Sequence, residues 1–227
     1  MCIRDRPKAQ QALRKAMLEL DMVSWKLTKD ALKVTDLFKG DGPEQVSFRK
    51  MNRHFAMADL PAGQARTSLD FIRQTFANMH AILIEGPPGG GNPWGANIVE
   101  SDPLTKPPAD MKDAIAYSPN QTADPKRLAK LGISPWRIYF TKLIDGKSED
   151  FFVYAIMHEL AHFVDEEKKA PIKDHAYGHQ ARYQTLPHYL RKLNADCYAL
   201  LAFEYWAGQD RMRAIYPNLP IELYRAF

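Results

Sequence analysis

Five residues, His158-Glu159-Leu160-Ala161-His162, carry the most chemistry in the sequence. They sit inside an apolar run from Phe151 to Val164 that contains no Gly or Pro and is long enough for a buried helix. Side chains four apart on a helix share a face, so the two imidazoles are expected one turn apart, pointing the same way. At that spacing they can bind one zinc ion. Glu159 projects beside them and can take a proton from a water on the ion, whose pKa zinc lowers to about 7. The competing reading is a core helix with two satisfied histidines. Ion-binding groups on so apolar a helix make that the poorer account.

Catalytic zinc takes three protein ligands and leaves a fourth position open. One known arrangement needs a Gly three residues and a His six residues after the second His. Asp165 and Lys168 stand there, which excludes it. Glu204 on a later helix is another option, though its setting between Tyr198 and Trp206 reads equally well as core packing. Asp174, His175 and His179 lie just beyond the histidine helix, where the chain has to pass close to the metal. His175 and His179 also read as polar residues at a cleft edge.

Several elements must position this cluster. The segment Trp136 to Ile144 is rich in aromatic and β-branched residues and predicts a strand, closed by Asp145-Gly146. Ser148 or Asp150 then caps the histidine helix. Gln180 to Gly208 predicts helix with a break near Pro187, and the tail from Tyr216 predicts irregular chain or a short helix. Upstream, apolar residues from Leu13 to Phe38 recur at steps of four and three, which predicts one core-facing helix from Pro7 to Phe38. Further helices are expected over 46–57 and 68–83, the latter capped by Thr67 or Ser68. Nine of the sixteen prolines lie between Pro87 and Pro135, so 86–135 is expected to be irregular, a rim over the site with a strand at 113–117 and helical turns over 123–130. Its Gly-rich part lacks the Gly-Lys-Ser/Thr ending of a phosphate loop.

The net charge of +4 is mild and spread out, with no basic run interleaved with aromatics, so nucleic acid is not an expected partner. No apolar run reaches the roughly 20 residues of a membrane span. Two cysteines, Cys2 and Cys197, make neither a disulfide framework nor a cysteine zinc cluster, and Cys197 is expected to be a buried, inert thiol. The opening Met1-Cys2-Ile3-Arg4-Asp5-Arg6 is set aside as non-native sequence, and no signal peptide is visible.

The combination of His158-Glu159-x-x-His162, Asp174-x-x-Tyr177-Gly178 and Asn194-Ala195-Asp196 resembles the aspzincins, the deuterolysin-like zinc endopeptidases that include lysine-specific members. The resemblance spans about 139–203. It implies that His158, His162 and Asp174 bind one catalytic Zn2+, that Glu159 is the general base, and that Tyr177 donates a hydroxyl to the oxyanion. It implies that Asp196 binds a basic side chain just after the scissile bond, giving a tilt toward Lys or Arg; from the residues alone Asp196 reads equally well as a helix-surface acid or one supporting the metal ligands, and Asn194 reads as structural. Secretion is expected on the same ground. Two positions depart from the pattern: Pro171-Ile172 replaces a Gly-Thr pair, and Ala199 replaces a second acid of the lysine-specific members.

The expectation is therefore a single-domain, mainly helical, zincin-like α+β protein over 1–227, with a small sheet beside the histidine helix. Its parts are a helical region (7–85), the irregular region (86–135) and a zinc-binding region (136–227). It is expected to be a monomer that hydrolyses proteins or peptides. The alternatives are a peptidase with Glu204 as third ligand and a non-catalytic metal- or peptide-binding domain.

Overall fold

The computed structural model describes residues 6–29, 34–85, 99–101, 115–118, 126, 138–164 and 171–216. Three helices fill its N-terminal part: α1 (Arg6–Lys29), α2 (Pro43–Phe55) and α3 (Ala62–Glu85). Helix α1 buries Ala9, Ala12, Leu13, Ala16, Leu20, Val23 and Leu27; Leu13, Leu20 and Leu27 are on the expected stripe, while Ala16 and Val23 take the buried places expected of Met17 and Ser24. Its described part runs to Lys29, and Val34–Phe38, expected as its continuation, is instead a 3-10 turn that still buries Val34 and Leu37. Helix α3 begins six residues before Ser68, with Pro61 just ahead of its first turn. Proline lacks only an N–H that the first turn does not use, and the Pro61 carbonyl accepts from Ala65 at 2.9 Å. Neither predicted cap holds: Thr67 donates to the Gly63 carbonyl, and Ser68 is buried against His188.

Among the described residues the sheet has three short strands: β1 (Val99–Ser101), β2 (Ala116–Tyr117) and β3 (Ile138–Phe140). The order is β1-β3-β2, with β3 parallel to β1 and antiparallel to β2. Of the strand expected over Trp136 to Ile144, the described residues form Ile138–Phe140, and Lys142–Ile144 turns into a 3-10 helix. Trp136, Arg137, the Gly-rich cluster, most of 86–135, the charged stretch 165–170 and 217–227 lie outside the described residues.

Helix α4 (Glu149–Phe163) follows the sheet and packs against it, with Phe140 and Phe152 in ring contact. Ser148 caps it, its hydroxyl accepting from the Phe151 N–H at 3.2 Å, with Glu149 and Asp150 at the positive end of the helix dipole. Downstream come two short helices, α5 (Ala181–Thr185) and α6 (His188–Arg191), then α7 (Ala195–Ala207) and α8 (Gln209–Ile215). Gly208, at φ +81°, makes the sharp reversal between the last two. Helices α1, α3, α4 and α7 surround one apolar core, to which the other described helices also contribute, α6 through Leu190 packed against it. The protein is mainly helical with a small sheet beside the histidine helix. No helix among the described residues is long and apolar enough to cross a membrane.

Candidate metal centre

Helix α4 is apolar on nearly every side, but one row of residues, Asp150, Tyr154, His158 and His162, repeats at steps of four. Each member is held by a different part of the chain. Asp150 pairs with Arg211 of α8. Tyr154 meets Asp196 of α7 and Tyr216 beyond α8. His158 lies between Asp196 and Asp174, and His162 between Asp174 and the main chain at Ile172.

The loop 171–178 is fixed to the start of α7 by main-chain bonds from Lys173 N–H to the Leu193 carbonyl (2.8 Å) and from Ala195 N–H to the Lys173 carbonyl (3.1 Å). Asn194, wholly buried, completes the clamp. Its Oδ1 accepts from the His175 and Ala176 N–H groups, and its Nδ2 donates to the Ala176 carbonyl at 2.9 Å. Asn194 is a structural residue of the site. The Gly178 N–H donates to Asp196 Oδ2. A Cβ at Gly178 would stand 2.6 Å from Leu200 Cδ1 and 3.2 Å from the Tyr216 ring, so glycine is required there by close approach.

These supports orient both imidazoles alike. His158 Nδ1 faces Asp196 Oδ1 at 2.7 Å, and His162 Nδ1 faces the Ile172 carbonyl at 2.9 Å. Each acceptor keeps a proton on Nδ1 and turns the Nε2 lone pair inward. The Pro171-Ile172 departure costs nothing at this contact, since a carbonyl is offered by any residue. The two Nε2 atoms are 3.3 Å apart, and Asp174 Oδ1 lies 3.0 Å from one and 3.3 Å from the other. Three acceptor atoms facing one another at that range could share a proton or a metal ion.

Burial pulls both imidazoles toward neutrality. Hydrogen bonds to Asp174, and for His158 to Asp196, outweigh it, so both sit above the ordinary histidine value, His158 far above. For Asp174 burial pushes upward, and the two imidazoles outweigh it and hold the carboxyl far below its usual range. The cluster thus holds protons where a metal ion can replace them. His158, His162 and Asp174 form a group able to hold such an ion, their ligand atoms all within 4.8 Å of one another. Tetrahedral zinc with bonds of about 2.0–2.1 Å sets its ligand atoms roughly 3.3 Å apart, so the donor set fits zinc in both spacing and chemistry.

No family model, curated protein or solved structure matches the chain.

Glu159 is buried on α4, close enough for its charge to act on His162 and Tyr177. The Tyr177 ring stacks on His158 with centroids 5.8 Å apart, and its hydroxyl donates to Asp174 Oδ2 at 3.1 Å. Burial and the neighbouring Asp174 charge push this phenol up, so it stays a proton donor at neutral pH.

Two further acids weighed from the sequence each lie buried among partners of their own. Asp196, read as an acid that meets a basic substrate side chain, is 0% exposed, and its oxygens are taken by His158, Tyr154, Gly178 and Tyr216. Burial and saturation make it a support for His158. Glu204, the alternative third ligand, lies further along α7, where Arg53 Nη1 and His54 Nε2 hold its oxygens at 2.8 and 2.9 Å. His175 and His179 are not in the metal group: His175 is anchored through its main chain, and the His179 ring stacks on Tyr177 at 5.9 Å. Cys197 is buried, its thiol pushed up to about 11 by burial. Tyr154 and Tyr216 were not singled out from the sequence. Tyr154 stands four residues before His158, so the helical row could have found it. Tyr216 gave no such signal.

Proposed function

We propose that this chain is a zinc-dependent endopeptidase of the aspzincin type on a zincin-like fold. His158, His162 and Asp174 would hold the ion. The observation that carries this reading is the convergence of His158 Nε2, His162 Nε2 and Asp174 Oδ1 within 3.0–3.3 Å, with Glu159 and Tyr177 beside them. When bound, zinc supplies Lewis-acid polarisation of a peptide carbonyl and makes water acidic enough to lose a proton near neutral pH. Glu159 accepts that proton on its carboxylate and delivers it to the departing amide nitrogen, as general base and then general acid. The Tyr177 hydroxyl is a neutral donor for the carbonyl oxygen as charge builds on it, one hydrogen bond from the ligand carboxylate. Asp196 sets the His158 tautomer and leaves no exposed acid at its own position to select Lys or Arg.

The test combines metal analysis with digestion of a denatured protein mixture, its products identified by mass spectrometry. The wild type should bind one zinc and cut internal bonds in a chelator-sensitive way. Glu159→Gln should keep the metal and lose about 10²–10⁴-fold in rate, and Tyr177→Phe should keep it and lose about 10²–10³-fold. Asp174→Ala should lose metal and activity together. Full zinc binding and activity in Asp174→Ala would overturn the ligand set, and zinc binding without cleavage by the wild type would overturn the peptidase reading.

A further inference from the structure

Five aromatic rings form a closed circuit at the base of the site. It runs Tyr154, His158, Tyr177, His179, Tyr216 and back to Tyr154, with neighbouring centroids 5.9, 5.8, 5.9, 5.0 and 5.4 Å apart. Three of the five, Tyr154, His158 and Tyr216, also hydrogen-bond to the Asp196 carboxylate, and the Gly178 N–H is its fourth donor. A buried carboxylate needs its lone pairs satisfied, and here each oxygen has two partners.

Tyr216 is the member that comes from outside both the histidine helix and the ligand loop. Its N–H closes the end of α8 on the Met212 carbonyl, and α8 is tied to the start of α4 through Arg211 and Asp150. Its hydroxyl meets both Tyr154 and Asp196, and its ring covers Gly178 and His179.

We propose that Tyr216 is a positioning residue of the metal centre: with Tyr154 it fixes the Asp196 carboxylate, which in turn holds His158 with Nδ1 protonated and Nε2 turned to the ion. This rests on the metal reading above, but the contact it concerns is between groups of the chain itself. Removing the Tyr216 hydroxyl removes the one proton it shares between the Tyr154 hydroxyl and Asp196 Oδ2, and frees the carboxylate to rotate away from His158. Loss of such an outer partner typically weakens metal binding 10- to 100-fold.

The deciding variant is Tyr216→Phe, which keeps the ring against Gly178 and His179 and removes only the hydroxyl. Zinc affinity is measured by competition with a chelator, and the His158 Nδ1–H resonance is followed by NMR in metal-free protein. Tyr205→Phe is the control, since it removes a buried phenol bond to the Ser47 carbonyl (2.8 Å) elsewhere on α7. The expected result is zinc affinity about 10-fold weaker in Tyr216→Phe, with the His158 resonance shifted, and neither change in Tyr205→Phe. Wild-type zinc affinity together with an unmoved resonance in Tyr216→Phe would overturn the proposal. If Tyr216→Phe does not fold, Tyr154→Phe decides on the same two readouts. If the wild type itself binds no zinc, the metal reading fails, and the resonance alone still decides whether Tyr216 positions His158 through Asp196.

Discussion

Asp196 and Glu204 share one face-to-core helix, α7, and both are wholly buried, yet they answer to different partners roughly 12 Å of helix apart. Asp196 accepts from His158 at the metal centre, whereas Glu204 binds Arg53 and His54 of α2. The second carboxylate belongs to the packing of α2 on α7. His54 passes the contact on, its Nδ1 lying 2.9 Å from the Tyr183 hydroxyl.

Glu204→Gln should therefore cost stability and leave the metal alone. Burial pushes the Glu204 carboxyl up, but His54 and Arg53 outweigh it and keep it below the usual range, so it is charged at neutral pH. Neutralising it leaves the largely buried Arg53 guanidinium unpaired, and breaking a buried pair in that way costs about 3–5 kcal/mol. Denaturant unfolding should show the loss, while zinc affinity in the folded protein stays at the wild-type value. A variant of normal stability that no longer binds zinc would restore Glu204 as a ligand.

A second prediction concerns pH. In metal-free protein His158 and His162 titrate above their unfolded value of about 6.5, so their contribution is complete below that pH and fades as pH rises through the raised values. Asp174 titrates below its unfolded value of about 3.9, so its share is present above that pH and disappears only in stronger acid. Zinc needs both imidazoles free of the inward proton, so its stabilising effect must grow with pH over the same interval. Burial holds His54 below its ordinary value, and its contribution is lost as pH falls below about 6.5. That effect is common to both forms and cancels in their difference. Thermal melts with and without zinc should show a small gain in melting temperature near pH 5 and a larger one near pH 8. An equal gain at both would remove the histidines from the binding site.

The parts of the site legible in the sequence are those in which a side chain's chemistry and its spacing coincide. His158 and His162 share a face because four residues make one helical turn, and Asp174 follows in the nearest loop. The supports were harder to see, for separate physical reasons. The partner of His162 is the Ile172 carbonyl, which every residue type offers. The Asn194-Ala195-Asp196 motif was visible, and a structural Asn194 and a supporting Asp196 were among its readings, but the groups they meet were not: Asn194 clamps the 173–176 main chain, and Asp196 lies buried on α7. Tyr216 reaches the site only because Gly208 reverses the chain and α8 folds back on α4, a long-range consequence that no local pattern announces. The same limit shortened the helix expected to reach Phe38 and hid the start of α3 behind Pro61.

Gly178 joins the support of Asp196 to the packing of Tyr216, so Gly178→Ala tests both at once. Its new methyl would meet Leu200 Cδ1 at 2.6 Å and two atoms of the Tyr216 ring at 3.2 and 3.3 Å. Leu200 is fully buried and has little room to yield. Overpacking of this kind costs about 1–3 kcal/mol. The relief open to the chain is to lift residue 178 away from α7, which draws its N–H off Asp196 Oδ2 and loosens the loop that carries Asp174. Gly178→Ala should thus lower the unfolding midpoint and, in the protein that remains folded, weaken zinc binding. Leu200→Ala in the same chain makes space for the methyl. The double variant should recover zinc affinity relative to Gly178→Ala even while it keeps a cavity penalty in stability. Zinc affinity that stays low in the double variant would show that the loop depends on glycine for something other than this contact.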